Sequence, residues 1–295
     1  MANLKEIRNR IVSIGSTMQI TSAMKMVSAA KLKRAQDKIT DLRPYAEKLQ
    51  EILTNVSTNV SGAEGGVYSQ ERDINNVLIV SITSNRGLCG GFNAVIVKEV
   101  NRLIESFPGK NVKVLSLGKK SFETFAKTNY HYTEGFGDKP FGIFDDLTFS
   151  NVSEIAGKLM EKFRENEFDK IIMVYNKFKN AAVQLVTTEQ FLPVVSGESE
   201  SKEEAKPTGV DYIFEPSEKE IVEEIIPKSL KIQVYKALLD SNASEHGARM
   251  TAMHKATENA KEMQFELKLH YNKARQAAIT NEILEIVSGA EALKG

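Results

Sequence analysis

The chain has 295 residues, of which 41% are hydrophobic, and its 39 basic side chains balance its 39 acidic ones. This hydrophobic fraction is sufficient for a packed core, and the zero net charge does not favour nucleic acid as the main partner. The single cysteine, Cys89, excludes an internal disulfide and fits a reducing compartment, and no apolar run approaches the roughly 18 residues that span a bilayer. The four histidines do not have the spacing of metal ligands.

Residues 1–60 are predicted to form one coiled-coil helix. Residues at alternating steps of three and four are apolar, which is the spacing of a heptad, except for three consecutive polar positions at Thr21, Lys25 and Ser28. These three positions are either a patch that is solvated or covered by the lysine stem, or a face that meets a second partner through Met24, Lys25 and Met26. The full series is Leu4, Ile7, Ile11, Ile14, Met18, Thr21, Lys25, Ser28, Leu32, Ala35, Ile39, Leu42, Ala46, Leu49, Leu53, Val56 and Val60.

Residues 77–214 are predicted to form an α/β domain, which a linker at 61–76 joins to the first helix. Apolar runs of strand length alternate with segments of helical spacing, which predicts a mostly parallel sheet covered on both faces. The polar, charged residues 196–210 are expected to form a mobile surface loop. The predicted strands are 77–82, 112–118, 170–175 and 182–187, and the predicted helices are 93–107, 119–128 and 152–168.

Residues 215–295 are predicted to form a second coiled-coil helix. Its heptad is sustained for many turns and therefore requires another helix beside it, which residues 1–60 supply. Because the first heptad is shorter, either the end of the second helix should extend beyond the pair or its start should be unpaired. The second series is Tyr235, Leu239, Asn242, His246, Met250, Met253, Thr257, Ala260, Gln264, Leu267, Tyr271, Ala274 and Ala278.

The glycine-rich stretch SNRGLCGGFN at residues 84–93 is the most attractive candidate for a catalytic or nucleotide site. It contains neither the dinucleotide-binding nor the P-loop fingerprint, and a tight turn between strand and helix is sufficient reason for its glycines. Cys89 beside Arg86 could be an activated thiol, although a small residue in a turn is the favoured interpretation. We therefore predict no catalytic, cofactor-binding or metal-binding residue.

Three motifs resemble the γ subunit of the F-type ATP synthases, in a likeness that covers the whole chain. They are LKEIRNRIVSIGSTMQITSAMKMVSAAKLKRAQ at the start, the SNRGLCGGFN stretch, and ARMTAMHKATENA with YNKARQAAITNEILEIVSGAEAL at the end. The last motif carries the specific pattern Ile279, Thr280, Glu282, Glu285, Gly289 and Ala290. One departure is Asn85, which stands where the family usually has aspartate.

The resemblance implies an α/β fold in which the terminal helices form a long antiparallel coiled coil with an inserted Rossmann-like α/β domain. It implies a central rotary shaft that transmits torque between the ion-driven c ring and the α3β3 hexamer. It further implies that nucleotide sites and catalytic residues belong to the α and β subunits. The implied partners are the α and β subunits, the ε subunit and the c-subunit ring.

Matching the motifs residue by residue implies two sets of partner contacts. Residues expected to meet the β subunit are Met24, Lys25, Arg86, Cys89, Arg275, Gln276 and Thr280. Tyr212 and Glu215, in the DYIFEP stretch, are expected to meet ε or the c ring. For Arg275 and Gln276 the alternative is a solvated helix face.

Two other functions are kept as alternatives: a coiled-coil scaffold whose α/β domain binds an unrelated partner, and an α/β enzyme with helical oligomerisation arms. The start of the chain, MANLKEIRNRI, has neither an apolar signal region nor a serine-rich presequence. Together with the resemblance, this start implies a peripheral position at the cytoplasmic face of a bacterial inner membrane, and a processed organellar chain is the alternative.

Overall fold

The computed structural model describes residues 4–59, 67–70, 72–194 and 218–292. Helix α1 covers Leu4–Asn59 and helix α5 covers Glu218–Ala292, and both run without a break through an internal proline, Pro44 in α1 and Pro227 in α5. Contacts group the chain into two compact units, one of Met1–Ala29 with Arg249–Gly295 and the other of Ala30–Ala248. No helix in the described ranges is both long and apolar enough to cross a membrane.

The first unit is an antiparallel coiled coil. Thr21 Oγ1 lies 2.8 Å from Thr257 Oγ1, and a Cβ added to Gly15 would lie 2.9 Å from the Gln264 side-chain nitrogen. As the residue number falls along α1, the number of its partner on α5 rises, so the two helices run in opposite directions.

The predicted seams form the buried sides of this coiled coil. In α5 between residues 261 and 292, the predicted seam positions are partly buried and the other described residues are exposed. Ser28 is 2% exposed and Thr21 is 9% exposed, so the solvated-patch interpretation is wrong for these two positions. The five α5 seam positions are Gln264, Leu267, Tyr271, Ala274 and Ala278.

The last turns of α5 have no buried side. From residue 279 to residue 292 every described residue is exposed, whereas α1 begins at Leu4, near the level of the last seam positions. The unequal lengths of the two heptads predict an unpaired stretch at one end of α5, and the family resemblance implies that it lies at the C-terminal end. A helix end whose side chains are exposed all round is suited to contact with other chains.

The second unit contains a five-stranded sheet in the order β3-β2-β1-β4-β5. The strands are β1 (Asn76–Ser81), β2 (Asn111–Ser116), β3 (His131–Tyr132), β4 (Lys170–Phe178) and β5 (Gln184–Leu192). The β1 strand pairs in parallel with β2 and β4, β2 pairs in parallel with β3, and β5 is antiparallel to β4. The predicted mostly parallel sheet is confirmed.

Successive side chains of β1 point to opposite faces of the sheet. Both sets are apolar and buried, and helices cover both faces. Leu78 and Val80 belong to one buried cluster, which the helix at Phe149–Arg164 and the first part of α5 complete. Val77 and Ile79 belong to the other, which includes side chains of the helix at Phe92–Glu105. The shorter helices are α2 (Phe92–Glu105), α3 (Lys119–Phe125) and α4 (Phe149–Arg164), and 3-10 turns cover Val67–Ser69 and Pro140–Phe144.

Element ends differ from the predicted ones by a few residues. Helix α4 begins at residue 149 and ends at 164, instead of the predicted 152 and 168, and Asn166 just beyond it has a positive φ of 61°. Asparagine tolerates this left-handed backbone, which ends a helix. The two-residue strand β3 was not predicted, because so short a segment has no period to detect.

Candidate partner-contact sites

The loop between β1 and α2 is held by hydrogen bonds among its own residues. The Ser84 hydroxyl lies 2.8 Å from the carbonyl oxygen of Arg86, and the Ser84 N–H donates to Asn93 Oδ1 at 2.9 Å. The Asn93 amide nitrogen lies 2.8 Å from Ser84 Oγ and 3.2 Å from Cys89 Sγ. This network ties both ends of the glycine-rich loop to one asparagine and so orders its backbone.

Cys89 lies on the inner side of this loop. Its side chain is 1% exposed and packs in the cluster that contains Phe92 and Ile96. The thiol is therefore not on the surface of this chain and is not available to contact another subunit. Only the exposed residues of the loop remain candidates for the predicted contact with the β subunit. Burial also favours the interpretation of Cys89 as a small residue in a turn.

Leu88 is the exposed apolar residue of the loop, and sequence analysis missed it. Its side chain is 67% exposed, and its backbone has a positive φ of 65°. A positive φ is rare for a bulky residue and common for glycine. Gly90, two residues later, also has a positive φ. Neither property follows from the letters RGLCGG, because both depend on how the loop folds.

The carboxyl ends of β1 and β2 are closed by small polar residues. The Ser121 hydroxyl donates to Ser81 Oγ at 2.8 Å and lies 2.9 Å from Ser116 Oγ, and the Ser121 N–H donates to Thr83 Oγ1 at 2.9 Å. A Cβ added to Gly118 would lie only 2.2 Å from the Thr83 carbonyl oxygen. Parallel α/β sheets bind ligands at such strand ends. Here these hydroxyls are occupied with one another, and the backbone segments leave no gap for a phosphate between Thr83 and Gly118.

Asn85 joins the loop to two neighbouring segments. Its Oδ1 accepts a hydrogen bond from the Lys119 N–H at 3.0 Å, and its Nδ2 donates to the carbonyl oxygen of Phe141 at 3.0 Å. An aspartate could accept the first bond but could not donate the second. The asparagine that departs from the family pattern therefore has a structural role of its own.

Met24 and Lys25 lie together on the coiled coil. Met24 is half-buried and its carbonyl oxygen accepts a 2.7 Å hydrogen bond from Ser28, while Lys25 Nζ lies 3.2 Å from His254 Nδ1. The next residues, Met26 and Val27, are exposed. Lys25 is thus held at the edge of the seam, with apolar side chains beside it in solvent.

Arg275, Gln276 and Thr280 are exposed near the overhanging end of α5. The Thr280 hydroxyl donates to the carbonyl oxygen of Gln276 at 2.9 Å, so its proton is used within the helix. Beside these polar residues several large apolar side chains are exposed: Ile279, Ile283, Leu284, Ile286 and Val287. An apolar surface of this kind indicates contact with other chains.

Three predicted features lie outside the described residues. They are Tyr212, Glu215 and the loop at 196–210.

The whole chain matches known proteins. A family model described as ATP synthase matches residues 3–293. The chain is 60% identical over 295 residues, the full length of both proteins, to the "ATP synthase gamma chain" of Flavobacterium johnsoniae. It is 46% identical over 302 residues, again all of both chains, to the protein of the same name from Chlorobium phaeobacteroides.

The chain belongs to the family of ATP synthase gamma chains, the non-catalytic subunits of the central stalk. The resemblance seen in the sequence motifs is confirmed.

Solved structures agree with the fold. A chain of Euglena gracilis mitochondrial ATP synthase, from the structure of its OSCP, F1 and c-ring, aligns with a TM-score of 0.63 at 20% identity and covers 98% of this chain and 94% of that one. A chain from the central stalk and c-ring of Tetrahymena thermophila mitochondrial ATP synthase aligns with a TM-score of 0.55 at 25% identity, covering 80% and 99%. The predicted fold class, a two-helix coiled coil with an inserted α/β domain, is confirmed.

Proposed function

We propose that this chain is the rotating central shaft of an F1Fo ATP synthase. It transmits torque between the ion-driven c ring and the α3β3 hexamer, and so couples ion flow to ATP synthesis or hydrolysis without catalysing either. The observation that supports this most strongly is the coiled coil whose second helix continues past its partner as an exposed, partly apolar end. Such an end is suited to contact with surrounding protein.

The physical logic of a shaft follows from the energy of ion transport. One charge crossing about 100 mV releases roughly 2.3 kcal/mol, so several passages are needed for each ATP. Two paired helices can transmit elastic strain between the c ring and the α3β3 hexamer. The surface of the shaft must also be asymmetric. A shaft that contacted all three β subunits equally could not bias them towards different states.

The contacts proposed with the β subunit lie in three places. Arg275, Gln276 and Thr280 form the first near the end of α5, and Met24 with Lys25 forms the second on the coiled coil. Arg86 forms the third on the loop after β1. All but the half-buried Met24 and Lys25 are exposed, and none lies in either buried cluster of the sheet.

Tyr212 and Glu215 are proposed to meet the ε subunit or the c ring, on the strength of the DYIFEP motif. In this proposal the chain is held peripherally at the cytoplasmic face of a bacterial inner membrane through the complex. Sodium carbonate extraction of membranes from the source organism tests this, since a peripheral subunit is released and an integral one is retained.

Native co-purification from the source organism tests the proposed function. We expect a stoichiometric complex with nucleotide-binding α and β chains. A scaffold would self-associate without an α3β3 hexamer, and an enzyme would bind a small ligand saturably at the carboxyl end of β1. Either result, without the hexamer, would overturn the proposal.

Substitution at the end of α5 tests the contact residues. Arg275→Ala combined with Gln276→Ala should impair assembly or coupled ATPase, because it removes two hydrogen-bonding side chains from the exposed end of α5. Arg164→Ala, an exposed arginine at the end of α4, is the matched control and should leave both normal. Normal assembly and coupling in the double variant would remove Arg275 and Gln276 from the contact set.

A further inference from the structure

Leu88 has an exposed apolar side chain and a strained backbone, and neither of these contributes to the stability of its own chain. Its side chain is 67% exposed and belongs to neither buried cluster of the sheet. Its φ of 65° is one that glycine adopts freely and leucine adopts at an energetic cost. Glycine at this position would remove both the exposed apolar surface and the strain.

The loop nevertheless holds Leu88 in one place. Ser84 and Asn93 fix the backbone at both ends, and the next residue, Cys89, is buried with its Sγ 3.2 Å from the Asn93 amide nitrogen. A side chain on so constrained a backbone loses little freedom on binding. An exposed apolar side chain that is already held in one place can fill an apolar pocket of a partner at a low cost in ordering.

The charge around Leu88 indicates the chemistry of its partner. Residues 84–93 contain one cation, Arg86, and no acid, and Arg86 is exposed. Lys119 is also exposed, and its N–H is bonded to Asn85 of the same loop. An apolar anchor with a positive border fits an apolar pocket that carboxylates surround.

The geometry points to Leu88 as the apolar anchor of the loop after β1, which inserts into an acid-bordered pocket of a β subunit. This inference rests on the proposed function and deepens it, since it replaces the buried Cys89 with Leu88 as the side chain that makes the contact. Leu88 sets how long the contact lasts, and Arg86 sets how fast it forms.

The test uses the full chain and the reconstituted α3β3 hexamer. Leu88→Gly and Leu88→Asn should raise the dissociation constant about tenfold or more, mainly by faster dissociation, with an unchanged salt dependence. Leu88→Met keeps an apolar side chain of similar volume and should retain binding. Val95→Ala, which shortens an exposed apolar side chain on the adjacent helix, is the matched control and should bind normally.

A second measurement separates anchoring from a structural role. Leu88→Gly relieves the positive φ, so unfolding of the isolated chain should need as much denaturant as in the wild type, or more. A fall in stability that parallels the loss of binding would overturn the inference. Normal binding by all the Leu88 variants would also overturn it and leave the proposed function intact. Failure of the wild-type chain to bind the hexamer would overturn both.

Discussion

The hydroxyl oxygens of Thr21 and Thr257 lie 2.8 Å apart inside the coiled coil. The Thr257 hydroxyl also lies 2.8 Å from the carbonyl oxygen of Met253 one turn earlier. It can therefore donate to its own helix and accept from Thr21. A polar pair within a mostly apolar seam favours one register of two helices, because any slip would separate the two hydroxyls.

A double-mutant cycle at this pair tests its contribution. Thr21→Val should lower the free energy of unfolding by about 1 kcal/mol, because Thr257 loses its partner across the seam. Thr21→Val with Thr257→Val should be less destabilising than the sum of the two single changes, since no buried hydroxyl is left without its partner. Urea unfolding followed by circular dichroism measures all four proteins. Simple additivity would mean that the two hydroxyls do not interact.

The seam itself could be predicted from the sequence, because heptad spacing depends only on the helix repeat. Gln264 and Tyr271 are partly buried at their predicted seam positions, although one of them is polar. The state of Ser28 could not be predicted. Whether a polar seam residue faces its partner helix or solvent depends on what lies opposite.

The loop after β1 could be located from the sequence but not described. Its glycines predict a turn, and the apolar run before it predicts the strand. The burial of Cys89 and the exposure of Leu88 depend on Ser84 and Asn93, nine residues apart, meeting through their side chains. Such a contact has no periodic signal.

Asn85→Asp should destabilise the chain less than Asn85→Ala. The aspartate keeps an acceptor for the Lys119 N–H, whereas the alanine loses that bond and the bond to the Phe141 carbonyl oxygen. We expect a loss of about 1 kcal/mol for aspartate and about 2 kcal/mol for alanine, measured by urea unfolding. Equal losses would indicate that the bond to Lys119 contributes nothing.

Two glycines should respond in opposite directions to the same substitution. Gly118→Ala places a Cβ 2.2 Å from the Thr83 carbonyl oxygen, so the backbone must move, at a cost of about 2 kcal/mol or more. Gly157 lies within α4, and a Cβ there meets nothing within 4 Å. Gly157→Ala should raise stability by about 1 kcal/mol, since alanine is the better helix former. Melting temperatures of both variants check the pair, and loss of stability in both would contradict the described backbone at Gly157.

Asp240 is a carboxylate that the fold makes difficult to ionise. It lies in α5 and is 7% exposed. One turn further along α5, the Ser244 hydroxyl donates a 2.9 Å hydrogen bond to the carbonyl oxygen of Asn176 in β4. Burial raises the pKa of Asp240 to about 6, from an ordinary value of 3.8. Nearby charges act in both directions: Lys236, Lys177 and Arg43 lower this pKa, and Glu189 raises it.

Asp240→Asn should therefore stabilise the chain at neutral pH but not in acid. A raised pKa in the folded state means that the contribution of Asp240 is most favourable below pH 3.8 and is lost as the pH rises through about 6. Ionisation in the folded chain then costs about 3 kcal/mol at pH 7, and an amide avoids it but forfeits the attraction to the three cations. We expect a gain of about 1 to 3 kcal/mol over the wild type at pH 7.5 in urea unfolding, shrinking steadily towards pH 4.5. Asp138→Asn, at an exposed position, is the control for the loss of one carboxylate. A gain of the same size at every pH would show that the amide improves packing and that ionisation of Asp240 is not the cause.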